Sequence, residues 1–277
     1  MATMRMGVIL PGGTAREQLD LAQVAEEAGW DGVFVWEAAY GVDAWGLLSA
    51  IATRTSRIRL GTLLTPLPWR RPWKVASQVA TLDQLSEGRS LLTVGLGAVA
   101  PDLPSTGEPT DLRERAGRLD EGIDLIRTLL DGGTSYRGRW YAFELGRDEQ
   151  MRVARPVQQR IPIWVVGLWP RERSMARVVR CDGIVPQFDL EEGETSPSDI
   201  RDLRAWLTER GVSEDFDVIG EGETPAGDPR EAKDIVAPWA DAGCTWWLET
   251  RWEMPHHALE RLTQVRDRLE AGPPNLA

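Results

Sequence analysis

The stretch RIRLGTLLTPLPWRRPWKVASQVATLDQLSEGRSLLTVGLG, residues 57–97, decides the fold. Ile58 to Leu64 and Leu91 to Val94 are short apolar runs closed by turn-forming residues, and both read as buried strands. Between them Val75, Val79, Leu82 and Leu85 recur at helical spacing, which predicts a helix with one apolar face. Strand, helix and strand in that order make one βαβ unit of a parallel sheet.

The same grammar recurs on either side. AEEAGWDGVFVWE (25–37), RVVRCDGIVPQ (177–187) and WADAGCTWWLE (239–249) each end a helix and enter an apolar strand. Gly29 and Gly243 stand where a helix takes a left-handed terminal residue. Eight strands follow from this reading, at 5–10, 32–36, 58–64, 90–95, 162–166, 182–187, 215–220 and 244–249, alternating with eight helices. Thr14 and Glu17 form a capping box, Asp228-Pro229 a helix start, and Leu112, Ala116, Leu119, Ile123, Ile126 and Leu130 an apolar stripe. Before the fifth strand, SYRGRWYAFE reads as a small hairpin turning at Gly138, with Trp140 and Tyr141 as strand formers. The expectation is α/β: a single (β/α)8 TIM barrel domain over 1–277 with a small insertion before strand five, since such barrels take about 250 residues.

Thirty-two basic and 43 acidic side chains leave a net charge of −11, which argues against nucleic acid as a partner. No apolar run approaches the roughly 18 residues of a membrane span, and the chain enters its first strand without a signal-peptide core, so the expected location is cytoplasmic, away from membranes. Cys181 and Cys244, each beside a strand start, read as buried free thiols. His256 and His257 are adjacent, and so lack the i, i+4 spacing of a paired metal site. No metal is expected.

A barrel of this kind places its active site at the C-terminal strand ends. Of the carboxylates there, Glu37, Glu221 and Glu249, the acid/base candidates are Glu37 and Glu249, each either a catalytic acid or base or a solvated strand-end charge. Gly95-Leu96-Gly97 either ends a buried strand or lets a ligand approach the backbone. PIWVVGLWPRERSMARVVRCDG runs from the fifth strand into a helix, whose free N–H groups favour an anion. Arg70, Arg71 and Lys74 form a basic cluster that either steers an anionic ligand or is a solvated helix start. Trp36, Trp69, Trp169 and Trp247 are placed to line a pocket, and Trp164, Trp206 and Trp239 to fill the core.

The TLLTPLP strand end, the TLDQLSEGR helix end and the VGLG strand end, in this order and followed by YRGRWYAFE, resemble the luciferase-like family of flavin-dependent oxidoreductases and monooxygenases. That resemblance implies a flavoprotein using reduced FMN on a small organic substrate. Thr62 and Leu63 would lie against the isoalloxazine, near a non-proline cis bond, with Gly95 and Gly97 giving it close approach. Gly167, Leu168 and Trp169 occupy the family's small-residue phosphate loop, where Arg171 or Arg173 would compensate by pairing with phosphate; Gln187 completes the cofactor set. The alternative cofactor is the deazaflavin coenzyme F420, whose dehydrogenases commonly carry His and Glu where this chain has Ala38 and Ala98. Alternative readings are a barrel that has lost catalysis and serves as a binding or accessory protein, and a flavin-independent phosphosugar-type barrel. A flavin reductase is an expected partner of the enzyme. A homodimer is expected through Leu47, Leu48 and Ile51 of the helix at 43–53.

Overall fold

Alternating strand and helix resolve into a closed ring in the computed structural model, which describes residues 4–37, 41–99, 106–146, 153–189, 195–250 and 258–276. The first half carries β1 (Arg5–Ile9), β2 (Gly32–Val35), β3 (Arg59–Thr62), the short β4 (Thr65–Pro66) and β5 (Ser90–Gly95). A two-stranded antiparallel hairpin, β6 (Ser135–Arg137) and β7 (Ala142–Glu144), lies outside the ring. The second half adds β8 (Ile163–Trp169), β9 (Gly183–Phe188), β10 (Asp217–Gly222) and β11 (Trp246–Glu249). The order β1-β2-β3-β5-β8-β9-β10-β11 returns to β1 with every pairing parallel, so eight strands form a closed barrel.

Helices α1 (Ala15–Glu27), α2 (Ala44–Ala52), α3 (Pro72–Leu85), α4 (Leu112–Leu130), α5 (Glu172–Val178), α6 (Pro197–Glu209), α7 (Pro229–Ala242) and α8 (Ala258–Glu270) follow the barrel strands in turn. Their starts obey the sequence signals: Thr14 and Glu17 make the reciprocal capping box of α1, and Asp228 accepts two N–H groups of α7 ahead of Pro229. Gly29 and Gly243 take φ of +92° and +106°.

Four local expectations are corrected. Leu85 is exposed, because two successive three-residue steps from Val79 each rotate it about 60° back from the buried face; Ala76 and Ala80 are buried instead. Trp140 and Tyr141 sit in the hairpin turn, where the Glu121 carboxylate gathers the N–H groups of Arg139, Trp140 and Tyr141 at 2.7, 2.8 and 3.1 Å. The fifth barrel strand runs on to Trp169, because its ladder with β9 continues to Phe188. Leu47, Leu48 and Ile51 are buried in the chain's own helix-to-barrel layer, so they offer no surface for a two-fold contact.

Inside the ring, Phe34 stacks on Trp164 at 5.5 Å, and Trp246 meets both edge-on at 5.9 and 5.4 Å. Glycine makes room for them: a Cβ on Gly32 would stand 2.9 Å from Trp246, and one on Gly183 would overlap Trp164. The barrel is therefore a packed core below its mouth. Asp217 closes the lower end, accepting Trp164 Nε1 at 3.0 Å and Thr245 Oγ1 at 2.8 Å, with burial raising its proton affinity above the usual carboxylate range. Cys181 and Cys244 are buried and free. His256, His257 and Ala38 lie outside the described residues. Among the described residues no helix is long and apolar enough to cross a membrane, and no cluster of His, Cys, Asp or Glu could hold a metal ion.

Candidate functional site at the strand ends

Strand alternation decides which side chains face the mouth. Ile9, Phe34, Leu63, Leu91, Trp164, Val185, Ile219, Trp246 and Leu248 form the interior cluster, with Val166 packed on it. Continuing each alternation past the strand end brings Trp36, Leu168, Gln187, Glu221 and Thr250 to the mouth. Leu63, at a non-proline cis bond to Leu64, is on this inner side. Trp36 is 45% exposed, a large aromatic surface at the end of β2.

Glu37 has the opposite parity and turns toward the helices. Its carboxylate is ion-paired with Arg70 and accepts Trp45 Nε1 at 3.2 Å, while Arg70 also donates to Gln78 at 2.8 Å. With its side chain only 7% exposed, desolvation outweighs the lowering by Arg70, Thr65 and Trp45, and the carboxyl holds its proton more tightly than usual. Glu37 is therefore not a solvated strand-end charge: it is buried, ion-paired and raised in proton affinity, as a strand-end acid or base would be, but clamped by Arg70. Arg70 was legible as part of a basic cluster, but its partner 33 residues away was not.

Glu249 is also of outward parity. It accepts Thr224 N and Oγ1 at 2.8 Å each and lies 3.7 Å from Arg268 Nε of α8, with both side chains almost wholly buried. This places it behind the barrel wall, away from the mouth. Trp247 likewise packs on Trp239 in the outer layer. Thr62 is fully buried, donating to the Thr93 carbonyl at 3.1 Å and accepting from Thr65 at 3.0 Å.

A side chain at either glycine of Gly95-Leu96-Gly97 would meet neighbouring side chains, and at Gly97 the clash is with a held indole and a proline. A Cβ on Gly95 would be 2.9 Å from Leu64, and one on Gly97, at φ +74°, would be 2.6 Å from Trp69 and 2.7 Å from Pro66. Arg115 donates to the carbonyls of Leu96 and Gly97 and lies over the Trp69 ring at 5.5 Å.

Around the α5 start, Gly167 packs against Val178 and Ile184, and Leu168 N donates to Ser174 Oγ at 2.9 Å. Trp169 turns out onto Trp206 at 5.5 Å, so it leaves the mouth clear. Arg171 is exposed and pairs with Asp189, its Nε 2.6 Å from the carboxylate, and Glu172 occupies the first turn. These groups do not fit a phosphate on that helix end. The inner floor does suit a planar heteroaromatic ring: Leu63, Val166 and Leu168 are apolar, Gln187 is polar, and the inward Thr93 hydroxyl beneath has no partner among the described residues.

A feature that sequence reasoning missed lies between β9 and β10. Their ladder stops after Gly183–Asp217 and Ile184–Val218, and a cleft of about 470 Å³ opens where it ends. Gln187, Glu221 and Thr250 line its inner side, and Phe188, Ile200 and Trp239 its outer side. The volume is that of a small-molecule site.

Comparison with known proteins adds independent findings. The family model described as luciferase-like monooxygenase matches residues 3–274. The chain is 38% identical over 130 residues to the 4-hydroxyprotoasukamycin monooxygenase of Streptomyces nodosus subsp. asukaensis, covering 44% of this chain and 34% of that protein. It is 36% identical over 137 residues to the F420-dependent glucose-6-phosphate dehydrogenase of Amycolatopsis mediterranei, covering 46% and 41%. The match thus spans less than half the length of either relative. The coenzyme F420-dependent tetrahydromethanopterin reductase of Methanopyrus kandleri has the same fold, with a TM-score of 0.75 at 18% identity over 98% of this chain and 99% of that one.

Proposed function

Because the chain belongs to the luciferase-like monooxygenase family, we propose that it is an oxidoreductase that holds reduced FMN over the barrel mouth and acts there on a small organic substrate. The observation that carries this reading is the apolar floor formed by Leu63, Val166 and Leu168 beside the exposed Trp36. A bound flavin supplies hydride or oxygen-activating chemistry. The chain's own part is to exclude water from beneath the ring with those apolar side chains and to orient it through the Gln187 amide. Glu37, held at one oxygen by Arg70 and at the other by Trp45, binds a proton more tightly than an ordinary carboxylate because burial disfavours its charge. An acid or base role for it requires the Arg70 contact to open.

A second reading, the deazaflavin coenzyme F420, is supported by the Amycolatopsis relative, whose name states F420 dependence. Ala98 and Ala38 speak for FMN. A third, a binding or accessory barrel without catalysis, draws on the poor phosphate fit at α5. Anaerobic titration with FMN and F420, each oxidised and reduced, followed by fluorescence and melting temperature, separates the three. Saturating ligand should stabilise by about 4 kcal/mol at 1,000 times Kd. The cofactor giving the larger rise identifies the enzyme class. No rise with any of the four at millimolar concentration defeats the oxidoreductase reading.

A further inference from the structure

We infer that Arg261, the Gly12-Gly13 turn and Trp36 form a recognition site for an anionic group, a carboxylate or phosphate carried on an apolar body. Arg261 stands in the first turn of α8 and is half-buried. Its Nε is buried with no hydrogen-bond partner, and its guanidinium makes no ion pair among the described residues. Arg115, Arg127 and Arg268 also carry one buried nitrogen without a partner, but each of those guanidinium groups is held elsewhere, Arg115 by carbonyls of Leu96 and Gly97, Arg127 by Asp182 and Arg268 by Thr224 and Gly272. Burying a guanidinium N–H without an acceptor is unfavourable, so a partner from outside the chain is the natural complement.

The surroundings give that partner its chemistry. A Cβ on Gly12 would lie 3.9 Å from Arg261 Nη2 and 3.8 Å from Trp36 Cζ2, so guanidinium and indole flank the same point at the ends of β1 and β2. Gly12, at φ +86°, leaves that point open, while the missing Cβ of Gly13, at φ +105°, faces Glu17 Oε2 at 3.2 Å and Leu262 at 3.4 Å; the N–H groups of both glycines have no partner among the described residues. The neighbouring acid, Glu17, is already engaged by Thr14 N at 2.8 Å and Thr14 Oγ1 at 2.7 Å. A planar guanidinium binds carboxylate or phosphate through paired N–H groups, and the exposed Trp36 face accepts the apolar body attached to it. In a chain of net charge −11, this cation is a local attractor for anions at the mouth. The site stands without reference to a cofactor; it rests on the proposed function only for calling its ligand a substrate.

The test uses benzoate, its neutral analogue benzamide, FMN and riboflavin, with affinities read by calorimetry and fluorescence. Wild-type protein should prefer benzoate over benzamide by about tenfold, one charged hydrogen-bonded pair. Arg261→Gln should remove that preference and leave benzamide unchanged, Arg261→Lys should retain part of it, and Trp36→Ala should weaken both ligands alike. A fall in FMN but not riboflavin affinity in Arg261→Gln assigns the anion to the cofactor phosphate. An unchanged FMN to riboflavin ratio, with benzoate weakened, assigns it to the substrate. If FMN does not bind at all, the FMN reading fails and benzoate alone decides the site. If Arg261→Gln does not fold, Arg261→Lys decides, since a point charge should lose several-fold of the benzoate preference. The inference is overturned if the variant that folds binds both benzoate and FMN as wild type does.

Discussion

Gly97→Ala asks whether the second glycine of the strand-end turn is there for a bound ring or for the chain itself. Gly97 has φ +74°, and the added Cβ would stand 2.6 Å from Trp69 Cη2 and 2.7 Å from Pro66 Cβ. Arg115 grips the Gly97 carbonyl and lies over the same indole, and Trp69 Nε1 reaches the Pro109 carbonyl at 3.4 Å, so neither side can yield easily. A left-handed alanine costs about 1–2 kcal/mol. Overpacking adds about 1–3 kcal/mol, for a total of roughly 2–5 kcal/mol. Urea unfolding should show a lower midpoint at unchanged m. Adding Trp69→Leu should recover the steric share but not the backbone share. A Gly97→Ala protein as stable as wild type would refute this account and return the glycine to a ligand role.

Glu249→Ala should destabilise by about 3–5 kcal/mol, because it removes a counter-charge of the buried Arg268 guanidinium, whose bonds to Thr224 and Gly272 supply no negative charge; a loss under about 1 kcal/mol would show that the pair is dispensable. Cys181 and Cys244, whose thiols burial pushes up to about 12, should resist a thiol-specific disulfide reagent in the native protein at mildly alkaline pH and react fully in denaturant. Rapid native labelling would contradict their burial. Glu37 binds its proton more tightly folded than unfolded, so its contribution to stability is present below the ordinary glutamate range and is lost as pH rises through the elevated value. Glu37→Gln should remove that decline, whereas Asp217, shifted in the same direction, contributes equally to both proteins; parallel stability profiles would refute the assignment.

Eight strands, their order and the helix caps were legible because each signal is local: an apolar run, a glycine in a left-handed position, an Asp before Pro. What was not legible is which face each strand turns inward. In a barrel of parallel strands both faces are buried, and a segment such as GVFVWE is apolar at odd and even positions alike. Parity is then set by packing across the barrel, where Phe34, Trp164 and Trp246 meet. A shift of one residue exchanges Trp36 for Glu37 and Thr250 for Glu249, which is why the two candidate acids, Glu37 and Glu249, face away from the mouth. The cis bond beside Leu63 came instead from the family resemblance, since no local propensity announces it.

That inversion bears on what the mouth can do. With Glu37 and Glu249 turned outward, the described inward strand ends offer an indole at Trp36, amide or hydroxyl groups at Gln187 and Thr250, and one carboxylate, Glu221. Glu221 carries contacts of its own. Such a lining recognises and orients, through a flat apolar surface and a few hydrogen bonds, better than it attacks a bond. Reactivity must then be brought in by what binds there, and the chain's influence falls on which face of the bound group is reached and which substrate is admitted. The cleft opened by the early end of the β9–β10 ladder fits that division of labour. It lies beside Gln187 and Thr250 at the mouth's edge, and its outer wall is made by Trp239 of α7 and Ile200 of α6, so the outer helices as well as the strand ends shape what it admits.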